Sequence, residues 1–125
     1  MDIKYIPGDL CIVKGKVESV CEVDRDNDFS ITTDQHPFIR LSEVKPIPLT
    51  PKILEKNGWR TQNRWYYYLD VAEGFISYIG IDFKHKSNKG HLYVEVDGNN
   101  MVEIQYCHEL QHLLFGLGIN HEMEV

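Results

Sequence analysis

The feature that most constrains the fold is the regular alternation of apolar and polar residues between Trp65 and Ile104. Successive side chains of a β-strand point to opposite faces, so this alternation predicts strands with one buried face. Antiparallel sheets tolerate one solvated face, and we therefore expect an antiparallel sheet covered by helices on its other face. The predicted inward residues are Trp65, Tyr67, Leu69, Phe75, Ile79, Ile81, Phe83, Leu92, Val94, Val96, Val102 and Ile104.

Two segments have the pattern of covering helices. Thr50-Pro51 supplies an N-cap residue followed by proline at the first helical position, and Asn57-Gly58 ends that helix. Near the C-terminus, apolar residues at helical spacing form one stripe, and a short tail strand is expected after it. The stripe contains Tyr106, Leu110, Leu113, Leu114 and Leu117, and the tail contains Ile119, Met123 and Val125. Residues 46–125 are thus predicted to form an α-β-β-β-α-β module.

Residues 1–45 show short apolar runs separated by turn residues and no helical period. Lys14-Gly15 predicts a tight hairpin, and further strands are expected at residues 29–33 and 38–41. Strands spaced about ten residues apart are typical of a small antiparallel barrel-like module. The acidic cluster at residues 24–28 is interpreted as a hairpin tip, because it lacks the glycine and the final glutamate of a calcium loop. The proline-rich connector at residues 46–49 marks the boundary of the two modules.

Charge and cysteine usage narrow the classes of partner and compartment. The net charge is −6, and residues 1–48 and 49–125 are each acidic overall, so neither part has the basic field that nucleic-acid binding requires. No apolar run approaches the roughly 18 residues of a membrane span, and no secretory signal is evident, so we expect a cytoplasmic protein. The cysteines Cys11, Cys21 and Cys107 are odd in number and have no C-x-x-C spacing, which indicates reduced thiols.

The C-terminal helix contains His108-Glu109-Leu110-Gln111-His112, which fits the H-E-x-x-H pattern of zinc peptidases. In that interpretation His108 and His112 bind zinc and Glu109 is the catalytic base. A third ligand is missing, however, because the metzincin positions hold Phe115 and Gly118, and few residues follow. The alternative, which the sequence favours, is that the three residues are polar groups facing solvent, with no catalytic residue, metal or other cofactor.

Four tyrosines are expected on the open face of the predicted sheet: Tyr66, Tyr68, Tyr78 and Tyr93. Large rigid aromatic side chains are typical of protein-binding patches and also stack on nucleic-acid bases. The same face carries Asp82, Glu95 and Asp97, which repel phosphate. A protein partner or a homodimer is therefore favoured over nucleic acid. Packing of the N-terminal module on this face remains an alternative.

The run IPLTPKILEKNGW, the start GDLCIVKGKV and the helix Y-x-H-E-L-Q-H-L resemble a family of small uncharacterised proteins of gut Bacteroidetes and their phages and mobile elements. The resemblance extends over most of the chain. In that family the helix reads closer to V-H-Q-L-Q-N-L, which implies that Glu109 and His112 are not needed there for metal. The family brings no catalytic residues to carry over.

These observations lead to two hypotheses of different classes. The first is a non-enzymatic interaction or accessory protein that uses the tyrosine face or the groove between modules. The second is a minimal zinc-dependent hydrolase that uses His108, His112 and Glu109. The first is favoured, because the H-E-x-x-H pattern has only three fixed positions and arises easily by chance.

Overall fold

A computed structural model describes residues 5–24, 30–71 and 76–125 of the chain. Within them the protein is α+β, with one four-stranded and one five-stranded antiparallel sheet and few helices. They divide into two compact units. The first contains the chain up to Pro48 together with Tyr106–Phe115 and Asn120–Met123, and the second contains Leu49–Gln105, Gly116–Ile119 and Glu124–Val125.

The sheet of the first unit has the strand order β3-β2-β1-β4. Its strands are β1 (Leu10–Val13), β2 (Lys16–Asp24), β3 (Ser30–Thr33) and β4 (Val44–Lys45). Lys14 and Gly15 join β1 to β2 with φ angles of 51° and 80°, the left-handed conformation of a two-residue hairpin turn. The core of this unit is built from Tyr5, Cys11, Val13, Val20, Ile31, Ile39 and Val44.

Two expectations for the N-terminal module need correction. A barrel-like closure is not confirmed, because the sheet ends at β3 and β4 in the part of the chain that the structure describes. The strand expected at residues 38–41 is reduced to an isolated bridge between Ile31 and Ile39. A short 3₁₀ helix follows at Leu41–Glu43 and leads into β4. Residues 25–28 of the acidic cluster lie outside the described residues.

The sheet of the second unit has the order β5-β6-β7-β8-β9, so each strand lies beside its neighbour in sequence. Its strands are β5 (Arg60–Thr61), β6 (Tyr66–Asp70), β7 (Tyr78–Asp82), β8 (Leu92–Val96) and β9 (Asn99–Ile104). The register pairs Tyr67 with Ile81 and Ile81 with Val94, three buried residues of one face. The predicted alternation is therefore present at these positions, but predicted inward Val102 on the edge strand β9 is 38% exposed. Predicted inward Phe75 lies outside the described residues.

Helix α1 (Pro51–Lys56) belongs to the second unit and begins as the sequence predicts. The Thr50 hydroxyl accepts a hydrogen bond from the Ile53 N–H at 3.3 Å, and Pro51 takes the first helical position. The Tyr67 hydroxyl donates to Glu55 Oε1 at 3.0 Å, which ties the helix to the buried face of the sheet. Leu54 is fully buried on the same helix.

The C-terminal part differs from the predicted α-β-β-β-α-β order. Helix α2 (Cys107–Gly116) falls in the first unit as far as Phe115, whereas the sequence placed it in the second module. The Cys107 N–H donates to the Ile47 carbonyl at 2.8 Å within that unit. Residues 117–125 form no strand, so the expected tail strand is wrong. The glycines at positions 116 and 118 and the lack of regular alternation in this tail explain why it does not extend a sheet.

Candidate functional site

The H-E-x-x-H motif lies largely on the buried side of α2. His108 and Gln111 are buried, at 3% and 1% exposure, and the His112 side chain is 31% exposed. The expectation that the motif residues face solvent is therefore wrong for His108, whereas Glu109 and His112 are partly exposed. The buried stripe is rotated toward the motif relative to the predicted one, and consists of Cys107, His108, Leu110, Gln111 and Leu114.

His112 is bound to the carboxylate of Asp9, which precedes β1. His112 Nε2 lies 2.6 Å from Asp9 Oδ2, and the Asp9 side chain is only 1% exposed. The same Oδ2 atom also accepts the Ile6 N–H at 2.8 Å. A buried charge needs such partners, because an unpaired carboxylate in the interior is strongly destabilising. His112 thus compensates a buried carboxylate.

His108 is enclosed by aromatic rings. Its ring centroid lies 4.8 Å from that of Tyr5, and it stacks on Tyr106 at 5.9 Å with an interplanar angle of 11°. Burial lowers the pKa of His108 below its ordinary value, and the nearby His112 acts in the same direction, although Asp9 and Glu109 oppose it. The ring is therefore held in its neutral form by its surroundings.

Glu109 has a structural contact at the start of the helix. Its Oε1 accepts the Tyr106 N–H at 2.9 Å, the reciprocal half of a capping box, in which a side chain satisfies a backbone donor that the helix leaves open. Among residues 5–24, 30–71 and 76–125, no three His, Cys, Asp or Glu side chains are grouped so that they could hold a metal ion.

Metal analysis tests the zinc interpretation directly. Protein purified without a histidine tag is expected to contain far less than one zinc per chain, because His112 Nε2 is bound to Asp9. The measurement is elemental analysis of wild type and of His112→Ala, with Glu122→Ala as a control at an exposed acidic position. Stoichiometric zinc that disappears in His112→Ala would contradict this expectation and restore the hydrolase hypothesis.

The four tyrosines of the predicted binding patch lie on one face of the second unit's sheet. Tyr66 and Tyr68 are in β6, and the register sets Tyr66 opposite Asp82, which pairs in turn with Tyr93. Tyr78 lies on the same face, because it is two residues from Gly80 in β7 and Gly80 pairs with Tyr68. All four rings are partly exposed. We call these residues the tyrosine face: Tyr66, Tyr68, Tyr78 and Tyr93.

Tyr66 is fixed across the sheet. Its hydroxyl donates to Glu95 Oε2 on β8 at 2.7 Å, so its ring crosses the intervening strand β7. It crosses at Gly80, where a Cβ atom would overlap the Tyr66 ring and hydroxyl. Burial and Glu95 raise the pKa of Tyr66 above its ordinary value. Tyr66 therefore connects three strands as a structural element of the tyrosine face.

Carboxylates predominate around the tyrosine face. The Asp82 carboxylate accepts the N–H groups of Lys84 and His85 at 2.8 and 2.9 Å. Although burial raises the pKa of Asp82, these bonds and the His85 side chain hold it below its ordinary value, so Asp82 is ionised. The acidic residues on this side of the sheet are Asp70, Asp82, Glu95 and Glu103, and the basic residue in the same rows is Arg60.

The sequence did not indicate the polar residues that hold the first unit together. Gln111 Oε1 accepts the Leu10 N–H at 3.0 Å, and its Nε2 donates to the carbonyls of Gly8 and His121 at 3.1 and 3.2 Å. Gln111 does occupy an i, i+3, i+4, i+7 series with Cys107, Leu110 and Leu114, which is a signal of burial. Asp9 gives no local signal of its own.

Comparison of the chain with known protein families, with curated proteins and with solved structures finds no match. In the described residues, no helix is both long and apolar enough to cross a bilayer.

Proposed function

We propose that the protein is a non-enzymatic protein-interaction module, and that the tyrosine face binds a basic segment of a partner protein. The observation that carries this proposal is the register, which gathers four partly exposed tyrosines on one face of a five-stranded sheet. Tyrosine supplies a large contact area at a small cost in side-chain entropy. It is enriched among the residues that dominate binding energies at protein interfaces.

The charge of the face determines the chemistry of the partner. Among the described residues of the paired rows, four carboxylates accompany the tyrosines and Arg60 is the one arginine or lysine, with its own head group 3.8 Å from Asp70. Lysine and arginine side chains are attracted both by carboxylates and by the faces of aromatic rings. Lys84 already shows this contact, since its Nζ lies 5.3 Å from the ring centroid of Trp65. A basic and partly extended segment therefore fits the face best.

The other occupants fit less well. In a two-fold homodimer the same patch meets itself, so the carboxylates of two copies would oppose each other. A nucleic acid would bring phosphates against the same carboxylates. A peptide-binding experiment distinguishes the homodimer and the nucleic acid from a basic partner.

The proposal is tested with a synthetic decapeptide of alternating lysine, arginine and alanine. Binding is followed by changes in backbone amide NMR signals, and we expect saturable changes confined to β6, β7 and β8. The double variant Tyr78→Ser with Tyr93→Ser should weaken the affinity about tenfold or more, because it removes two aromatic contacts. A peptide in which glutamate replaces each basic residue should not bind.

The matched control is Phe38→Ser, which removes a ring that is 73% exposed in the first unit and should leave the affinity unchanged. Equal affinity in the double tyrosine variant would overturn the proposal. A wild-type solution mass of a dimer that becomes a monomer in that variant would replace the basic partner with a second copy. Preferential binding of an oligonucleotide would replace it with nucleic acid.

We also propose that the protein works in the cytoplasm without a cofactor, in a gut Bacteroidetes species or one of its mobile elements. Cys11, Cys21 and Cys107 are all free thiols, which supports a reducing compartment. The source follows only from the resemblance of the IPLTPKILEKNGW segment to that family.

A further inference from the structure

A second buried carboxylate lies in the first unit, on β2. Glu18 is only 1% exposed, and its Oε1 accepts hydrogen bonds from the Thr33 hydroxyl and from His36 Nδ1, the latter at 2.8 Å. Burial raises the pKa of Glu18, but these two bonds outweigh it and the pKa is lowered, so the carboxylate is ionised. Its second oxygen, Oε2, is buried and has no hydrogen-bond partner in the described part of the chain.

Glu18 lies in the wall of a pocket of about 460 Å³, within the size range of small-molecule sites. The other lining residues are Lys16, Val17, Asp34, Gln35 and His36. Because Nδ1 of His36 is bonded to Glu18, its Nε2 is left for another partner, and the ring is 33% exposed.

The walls of this pocket are held by reciprocal hydrogen bonds. The Thr33 N–H donates to the His36 carbonyl at 2.8 Å, and the His36 N–H donates to the Thr33 hydroxyl at 3.1 Å. On the other side, Asp34 Oδ1 accepts the Ser19 N–H at 2.9 Å, and the Asp34 N–H donates to the Ser19 carbonyl at 3.0 Å. The acceptor groups are thus positioned before any ligand arrives, which lowers the entropic cost of binding.

We propose that this pocket binds a small organic cation, a ligand that carries a primary ammonium or a guanidinium group. The Glu18 and Asp34 carboxylates offer acceptors, whereas Lys16 is the one lysine or arginine among the lining residues. Oε2 of Glu18 has no donor among the described residues, so a ligand N–H placed beside it would give this buried carboxylate oxygen the hydrogen bond that it lacks. Charge-assisted bonds of this kind are stronger than neutral ones.

Agmatine is a suitable probe, because it carries an ammonium at one end and a guanidinium at the other. We expect saturable changes in the His36 ring signals and in the amide signals of residues 16–18 and 33–36, measured by NMR up to about 10 mM ligand. Butyrate, an anion of similar length, should produce none. Glu18→Gln keeps the side-chain volume and should weaken agmatine binding about tenfold or more.

Two exposed positions keep the test decisive if Glu18→Gln fails to fold. Asp34→Asn retains the acceptor for Ser19 and should weaken binding about twofold to fivefold, whereas Lys16→Ala should tighten it by a similar factor. Lys45→Ala removes a charge outside the pocket and is expected to have no effect. The proposal is overturned by the absence of saturable changes, by equal responses to butyrate, or by unchanged affinity in both charge variants.

Discussion

Replacement of Gln111 by leucine is expected to destabilise the first unit by about 3 to 5 kcal/mol. The Gln111 amide binds three backbone groups that are distant in sequence: the Leu10 N–H and the carbonyls of Gly8 and His121. Leucine has a similar volume but no polar atom, so these groups would lose their partner at a site that is 1% exposed. The measurement is the free energy of unfolding in urea at neutral pH.

Gln35→Leu is the matched control, since it makes the same chemical change at an exposed position of the same unit. Its effect should stay below about 0.5 kcal/mol. A Gln111→Leu protein as stable as wild type would show that water satisfies the three backbone groups. A loss of about 3 to 5 kcal/mol is a large share of a domain's total stability, which is about 5 to 15 kcal/mol.

The sequence predicted the second unit best. Its strands follow a period of two, and adjacent strands pair in order, so local alternation also fixes which residues share a face. The tyrosine face and the cap of α1 follow from patterns within a few residues, such as Thr50-Pro51. The two-residue strand β5, at Arg60–Thr61, is too short to produce an alternation signal.

The sequence predicted the surroundings of α2 poorly. His108 was assigned to the solvent side because it is polar, yet it is buried, and Gln111 on the same helix is buried as well. Polarity is a guide to exposure only when no partner is available inside, and here the partners are distant in sequence. Gln111 and Leu10 are separated by 101 positions, and His112 and Asp9 by 103. Local periodicity carries no information about such contacts.

The same limit applies to Glu18. It lies on β2 opposite Cys11, on the buried side of the strand, where an alternation pattern leads one to expect an apolar residue. Its partners Thr33 and His36 come from β3 and the turn after it. The burial of Glu18 is explained by the turn after β3, which places His36 beside this carboxylate on β2. A pattern that conflicts with local rules is often found at functional or strained sites.

Replacement of Gly80 by alanine is expected to lower the stability of the second unit by about 1 to 3 kcal/mol. Alanine is normally favoured over glycine within a strand. Here the added Cβ would overlap the Tyr66 ring, which cannot move aside without losing its hydrogen bond to Glu95. The measurement is again the free energy of unfolding in urea, compared with that of wild type.

A double-mutant cycle separates this steric cause from a general effect of the substitution. In a Tyr66→Ala background the ring is gone, and Gly80→Ala should then be neutral or stabilising, so the sign of its effect changes. An equal loss in both backgrounds would contradict the crossing of β7 by Tyr66. The same substitution affects the tyrosine face. Tyr66 on β6 is hydrogen-bonded to Glu95 on β8, so its displacement by Gly80→Ala should shift Tyr68 and Tyr93 on the strands beside β7 and weaken peptide binding.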